Sequence, residues 1–222
     1  MHTRKTTDRR AKPSARAAGR LDAYSLRARI VGKAAGVFGQ KGAADTTVED
    51  ILRAAGVSRR TFYRFFESRE DVLDALHEIG CNMLIGAARQ AAAAGGDPLQ
   101  LLERAVGGYL DYHVTVGASV MAVVQGESMR AGSKLGPRRR AFLDTISGIF
   151  AAEMERASGQ RVDPLLLRSL LVAIEGVSLM LRAESASGEF ELERAKRVML
   201  RIVMATLAAK EGGLVPPLPL AR

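Results

Sequence analysis

The chain has 222 residues, 47% of them hydrophobic and 26% charged, with a formal net charge of +9 and one cysteine. That is enough for one large or two small domains of ordinary globular composition, and a lone Cys81 excludes an intrachain disulfide. No uncharged run reaches the roughly 18 residues of a spanning helix, and the N-terminus carries charge without an apolar stretch, so a cytoplasmic protein without a membrane partner is expected.

Residues 1–20 are basic and Ala-rich, with seven Lys/Arg against Asp8 alone, and lack an apolar period. They are expected to be a disordered arm. From about Asp22 a helical period begins, with Ile30, Val31, Ala34 and Phe38 on one face, and Gly42 is placed to end it. Thr46 or Thr47 caps a second helix, whose first turn carries Glu49 and Asp50 beside the positive end of the helix dipole. Gly56 makes a turn. Ser58 caps a short third helix of about seven residues. Ser68 caps a fourth, which runs through Val72, Leu73 and Leu76 towards Ala94.

Residues 1–73 hold sixteen Lys/Arg against eight Asp/Glu, and the rest of the chain seventeen against sixteen. Nearly all of the positive charge therefore sits in the first third, an electrostatic footprint for a polyanion. A basic tail explains residues 1–20 but not the Arg59-Arg60 pair beyond them. Helix, Gly-containing turn and a short basic helix form the pattern that enters a DNA major groove. At about 100° per residue, Arg59, Arg60, Tyr63 and Arg64 share one side of the third helix. Phe62 and Phe65 fall on the other, with Thr61 beside them. Arg can read guanine by two hydrogen bonds, whereas hydroxyls and helix N-terminal amides suit phosphate oxygens.

The remaining chain reads as helices throughout. Gly95-Gly96 is a break, and Asp97-Pro98 starts the fifth helix. Gly117 separates it from a sixth. A loop over 132–137 precedes Arg138-Arg139-Arg140, which reads as a solvated helix start, and the seventh helix ends at Ser158-Gly159. Asp163-Pro164 opens an eighth helix, apolar nearly all round from Leu165 to Leu181, which Gly188 ends. A ninth follows, then a Pro-rich tail. The fold class is all-α with about nine helices, divided into an arm (1–20), a three-helix DNA-binding domain (21–68), a helical ligand-binding and dimerisation domain (69–211) and a loose tail (212–222).

Residues Thr47-Val48-Glu49-Asp50-Ile51, the Ala55-Gly56-Val57-Ser58 turn, Thr61-Phe62-Tyr63-Arg64-Phe65-Phe66 and Ser68-Arg69-Glu70-Asp71-Val72-Leu73 resemble the TetR family of bacterial transcriptional regulators over roughly residues 25–75. The resemblance implies a homodimer that binds a palindromic double-stranded DNA operator and is released by a small molecule. It places Arg59 and Arg60 at base-reading positions. Thr47, Thr61 and Tyr63 fall at phosphate-contact positions, and Arg69 reaches the DNA backbone. Ser58 and Arg64 complete the surface. Arg64-Phe65 departs from the His or Tyr that many members carry before the Phe.

Candidate effector contacts are Met83, Tyr109, Tyr112, His113, Met121 and Gln125, which could supply polar or soft groups to an apolar pocket. Tyr109 and His113 share a helix face. A helix apolar all round must be buried on more than one side. Leu170, Ile174, Val177 and Leu181, with Val198 and Ile202 of the last helix, are therefore expected to form a four-helix interface across a two-fold axis. No nucleophile–base set, phosphate loop or metal cluster is present, so neither an enzyme nor a cofactor is expected. The competing reading is an architectural or non-specific DNA binder, which needs charge but not an ordered reading helix.

Overall fold

The computed structural model describes residues 15–159, 161–184 and 188–208, and among these it shows nine α-helices and no strand. The expected tail at 212–222 and the arm before Ala15 lie outside the described residues. The chain divides into two compact units after Ala75.

The first unit contains α1 (Ala15–Asp45), α2 (Val48–Ala55), α3 (Arg59–Tyr63) and the start of α4 (Arg69–Ala93). The division falls inside α4, not at residue 68, because Val72, Leu73 and Ala75 are buried. Helix α1 begins at Ala15 rather than near Asp22, so the last residues of the expected disordered arm are helical. Ala15, Ala17 and Ala18 are strong helix formers. Gly42 breaks the helical geometry as expected, with φ 84° and ψ 170°, although one more turn follows it to Asp45. Thr46, fully buried, fixes this bend by donating its hydroxyl to the Gly42 carbonyl at 2.6 Å.

The cap of α2 is Thr47, not Thr46, and its side chain accepts from the Asp50 amide while Asp50 accepts from the Thr47 amide. Such a reciprocal box satisfies two of the amides a helix start leaves open. Gly56 ends α2 in the left-handed conformation (φ 61°), which favours glycine. Phe62 is completely buried, 5.7 Å from the Phe66 ring, with Ile30, Phe38 and Ile51 among the other buried residues of this unit. Truncating such a phenylalanine to alanine costs about 3–5 kcal/mol, so the short α3 is held by packing rather than by its length. It has five residues where about seven were expected, with Arg64 as its C-cap.

The second unit contains the rest of α4, then α5 (Pro98–Val116), α6 (Ala118–Met129), α7 (Leu135–Ser158), α8 (Pro164–Glu184) and α9 (Gly188–Ala208). The Asp-Pro starts form as expected. Asp97 accepts from the Gln100 amide at 2.9 Å, and Asp163 from the Leu165 amide at 2.8 Å. Two boundaries differ. Helix α7 begins at Leu135, so Pro137 lies in its first turn, where a missing N–H leaves no intrahelical bond unmade. Gly188 opens α9 rather than closing α8, which ends at Glu184. Helix α5 packs on α9, and α8 on both α7 and α9. Val106, Leu110, Ala195 and Met199 form one core cluster and Leu167, Leu170 and Val203 another. No described helix is long and apolar enough to cross a membrane.

Candidate nucleic-acid interface and interior pocket

On the first unit, α3 turns Phe62 into the core and leaves Arg59, Arg60, Tyr63 and Arg64 exposed, while Thr61 is half-buried. This is the division of faces expected from the sequence. Ser58 caps the helix by accepting from the Thr61 amide at 3.1 Å, and the two hydroxyls lie 2.9 Å apart. Tyr63 meets the buried Phe62 edge-on, which anchors its ring while the residue stays half-exposed. Arg64 stacks over the Phe65 ring at 4.8 Å, a cation–π contact. Arg59 forms an ion pair with the exposed Glu49 of α2, and Thr47 stands exposed at the start of that helix. Asp50 is turned inward. Its hydrogen-bonded ion pair with Lys41 (2.8 Å), reinforced by bonds from Thr47, holds its carboxyl well below the usual carboxylate range. The acidic first turn of α2 is thus partly neutralised from within the unit.

Arg69 occupies a different place from the one expected. Its guanidinium donates to the carbonyls of Ala44 at 2.7 Å and Thr46 at 2.5 Å, and its Nε pairs with Glu70 at 2.7 Å. The side chain clamps the α1–α2 connection to the start of α4, and a phosphate would compete with two backbone acceptors for it.

The second unit encloses an apolar cavity of about 100 Å³ whose walls include Leu84, Val106, Phe142, Ile146 and Leu171. A smaller compartment of about 40 Å³ shares Leu84, Tyr109, Phe142 and Glu175 with it and adds Tyr112, Met121, Gln125 and Arg139. Four of the six expected pocket residues, Tyr109, Tyr112, Met121 and Gln125, therefore line it. Met83 does not, because it faces outward and is exposed. His113 packs its ring against Tyr109 at 4.6 Å and lines neither space. Gly80 gives the Tyr112 hydroxyl room, since a Cβ there would collide with it.

Arg139 and Glu175 form a half-buried ion pair between α7 and α8. Burial pushes the Glu175 carboxyl up, opposed by Arg139. Both escaped the sequence reading. The signal was there: an acidic residue inside an otherwise apolar helix must find a partner, and Arg139 is the one of three consecutive arginines turned inward. The Tyr109 hydroxyl, pushed up in pKa by burial, lies towards Ser178 and Gln125 but meets neither in hydrogen-bond geometry. Gln125 Oε1 and Arg139 Nε are likewise buried without a partner. Burial pushes Cys81 up to about 11, which leaves it a thiol unsuited to nucleophilic chemistry at neutral pH.

The expected interface residues do not share one exposed face. Leu170 is buried against Leu167 and Val203, while Ile174, Val177 and Ile202 pack on the core clusters. The side chain of Leu181 lies outside those described. The exposed apolar residues of α8 are instead Leu165 (61% exposed), Val172 (44%) and Met180 (68%), joined on α9 by Val198 and Met204. Helix α8 is therefore apolar all round because it packs into the core of the second unit on one side and leaves an apolar stripe exposed on the other.

Residues 30–76 match the family described as bacterial regulatory proteins, tetR family. The chain is 34% identical over 80 residues to the HTH-type transcriptional repressor KstR2 of Rhodococcus jostii, a match covering 36% of this chain and 39% of that protein. The similarity thus spans well under half of that relative. The fold is similar to that of the TetR family regulator PfmR from Thermus thermophilus, with TM-score 0.64 and 22% identity over 78% of this chain and 96% of that one. It is also similar to the transcriptional regulator FadR from Bacillus subtilis, solved in complex with stearoyl-CoA, with TM-score 0.68 and 17% identity over 80% and 97%. At these identities the structural likeness shows the fold alone.

Proposed function

We propose that this chain, whose residues 30–76 match the TetR family of bacterial regulators, is a sequence-specific DNA-binding transcriptional regulator, a repressor released by a small molecule. The observation that carries this reading is α3. Its exposed face holds Arg59, Arg60, Tyr63 and Arg64, its opposite face is anchored by a completely buried Phe62, and the left-handed turn at Gly56 leads into it. A rigid basic helix of this kind suits reading base edges, and bare electrostatic attraction does not require one. Arg59 and Arg60 are assigned to bases. Thr47, Tyr63 and the amides capped by Ser58 and Thr61 are assigned to phosphates, with Arg64 at the edge of the contact. Arg69 is assigned to holding the reading unit together.

Repression is supported by the likeness to a protein named as a repressor. An effector is supported by the cavity of the second unit and by a fold neighbour solved with stearoyl-CoA. The exposed apolar stripe of Leu165, Val172 and Met180 on α8, with the exposed Val198 and Met204 on α9, is assigned to a second copy of the chain, since exposed apolar patches mark interaction surfaces. Helix α4, continuous from Arg69 to Ala93, belongs to both units and is the natural carrier of a signal between them. Footprinting on the DNA flanking the coding sequence tests the reading. A protected, two-fold symmetric site supports it. Protection spread evenly over all DNA would favour an architectural, non-specific binder.

A further inference from the structure

The compartment beside the apolar cavity carries three buried polar atoms without partners: the Tyr109 hydroxyl, Gln125 Oε1 and Arg139 Nε. An unmet buried polar group is costly; Ser178 and Gln125 lie near the Tyr109 hydroxyl without meeting it in hydrogen-bond geometry, so a polar group entering the compartment would lower the cost of all three. Their chemistry differs. Arg139 Nε–H can only donate, Gln125 Oε1 can only accept, and the tyrosine hydroxyl can do either. A group that both accepts and donates matches this mixed set, and a hydroxyl is the smallest that does. Arg139 is already neutralised by Glu175, so the compartment has no net charge to match an ion. A carboxylate could not donate to Gln125 and would stand beside the Glu175 carboxylate. An ammonium could not accept from Arg139 and would face its positive charge. The adjoining cavity of about 100 Å³ is walled by apolar side chains apart from Tyr109 and Glu175, which it shares with the compartment. An apolar cavity of about 150 Å³ takes benzene, so cavity and compartment together suit a single ring with a short polar arm.

We infer that this pocket takes a compact, uncharged alcohol or phenol, its apolar body in the cavity and its hydroxyl held by Gln125, Tyr109 and Arg139. Its role as an effector rests on the regulator reading above, whereas its chemistry rests on the pocket alone.

Four probes on one skeleton test it with the full chain: methylcyclohexane, cyclohexylmethanol, cyclohexanecarboxylate and cyclohexylmethylamine, followed by calorimetry or ligand-observed NMR. Cyclohexylmethanol should bind about tenfold or more tighter than methylcyclohexane, as expected for hydrogen bonds that include a charged donor, and tighter than either ion. Gln125→Leu and Tyr109→Phe should each lower alcohol affinity several-fold and leave methylcyclohexane binding intact, which also certifies that the variants fold. A carboxylate that binds tighter than the alcohol overturns the inference. So does equal affinity for alcohol and hydrocarbon, which would mean that water satisfies the three groups, and so does the absence of binding by any probe at millimolar concentration. Adding each probe to a DNA complex separates the two readings. Selective alcohol binding that leaves DNA affinity unchanged sinks the effector role and keeps the site. Release by the carboxylate alone does the reverse.

Discussion

Replacing Arg69 with Met keeps the aliphatic stem and removes the guanidinium that clamps the α1–α2 connection. Two charge-assisted hydrogen bonds are lost, to the carbonyls of Ala44 at 2.7 Å and Thr46 at 2.5 Å. Bonds to charged groups contribute about 1.5–3 kcal/mol each when well shielded. The Arg69 side chain is 32% exposed, and its pairing with the exposed Glu70 adds little, so a total near 2 kcal/mol is expected. Urea denaturation should show that loss, and hydrogen exchange should place it at the amides of residues 47–51. DNA affinity should fall, but the slope of log K against log salt should stay that of the wild type, because no phosphate contact has gone. A phosphate-binding arginine would instead take about 0.9 off that slope. Arg69→Lys sharpens the comparison: it keeps the charge but lacks the fork that spans two acceptors, so it should fail to restore the stability if Arg69 is a clamp and should restore the slope if Arg69 is a phosphate ligand. Unchanged stability with a slope reduced by about 0.9 would refute the clamp.

Three further outcomes are expected. Glu49→Gln should free Arg59 from its ion pair and remove a negative charge from the DNA-facing surface, tightening duplex binding about fivefold, in line with the roughly 1 kcal/mol ceiling of an exposed pair; an unchanged affinity in a fluorescence titration would show that Arg59 does not face DNA. Burial holds His113 near pKa 4 against 6.5 for the free side chain. The unfolded chain therefore takes up the proton first, and the stability contributed by the neutral ring is complete above pH 6.5 and declines as pH falls towards 4. The loss by pH 4.5 is roughly 2 kcal/mol, and His113→Phe should flatten it in denaturation curves at both pH values. Val172→Asp should leave the helical spectrum intact and give monomers in sedimentation, whereas Leu170→Asp, placed in the subunit core, should unfold the second unit; a Val172→Asp protein that stays dimeric would exclude the exposed stripe as the interface.

Helix α3 was legible because its signals are local. Thr47, Gly56, Ser58 and the Phe62/Arg60 division of faces each follow from cap chemistry or from helix periodicity, and the structure places these residues accordingly. Asp97-Pro98 and Asp163-Pro164 were legible for the same reason. What was not legible depends on partners distant in sequence. Arg69 bonds to carbonyls more than twenty residues away, and Arg139 meets Glu175 across thirty-six. The composition of an isolated helix does not say which arginine of a run turns inward. The apolar α8 is a related case: its pattern announces two buried sides but not which residues face the core, so it does not separate Leu170 and Ile174, which pack inside, from Val172 and Met180, which stay exposed. The softness of Met83 suits a pocket, yet helix phase turns it to the surface.

Enrichment from a randomised duplex library, run in parallel on the wild type and Arg60→Ala, tests most directly whether α3 reads sequence. The wild type should enrich an inverted repeat, and Arg60→Ala should lose the preference at one position of each half-site at a cost of roughly 1–3 kcal/mol while keeping the rest. No enrichment by the wild type, or identical preferences for the two proteins, would contradict it.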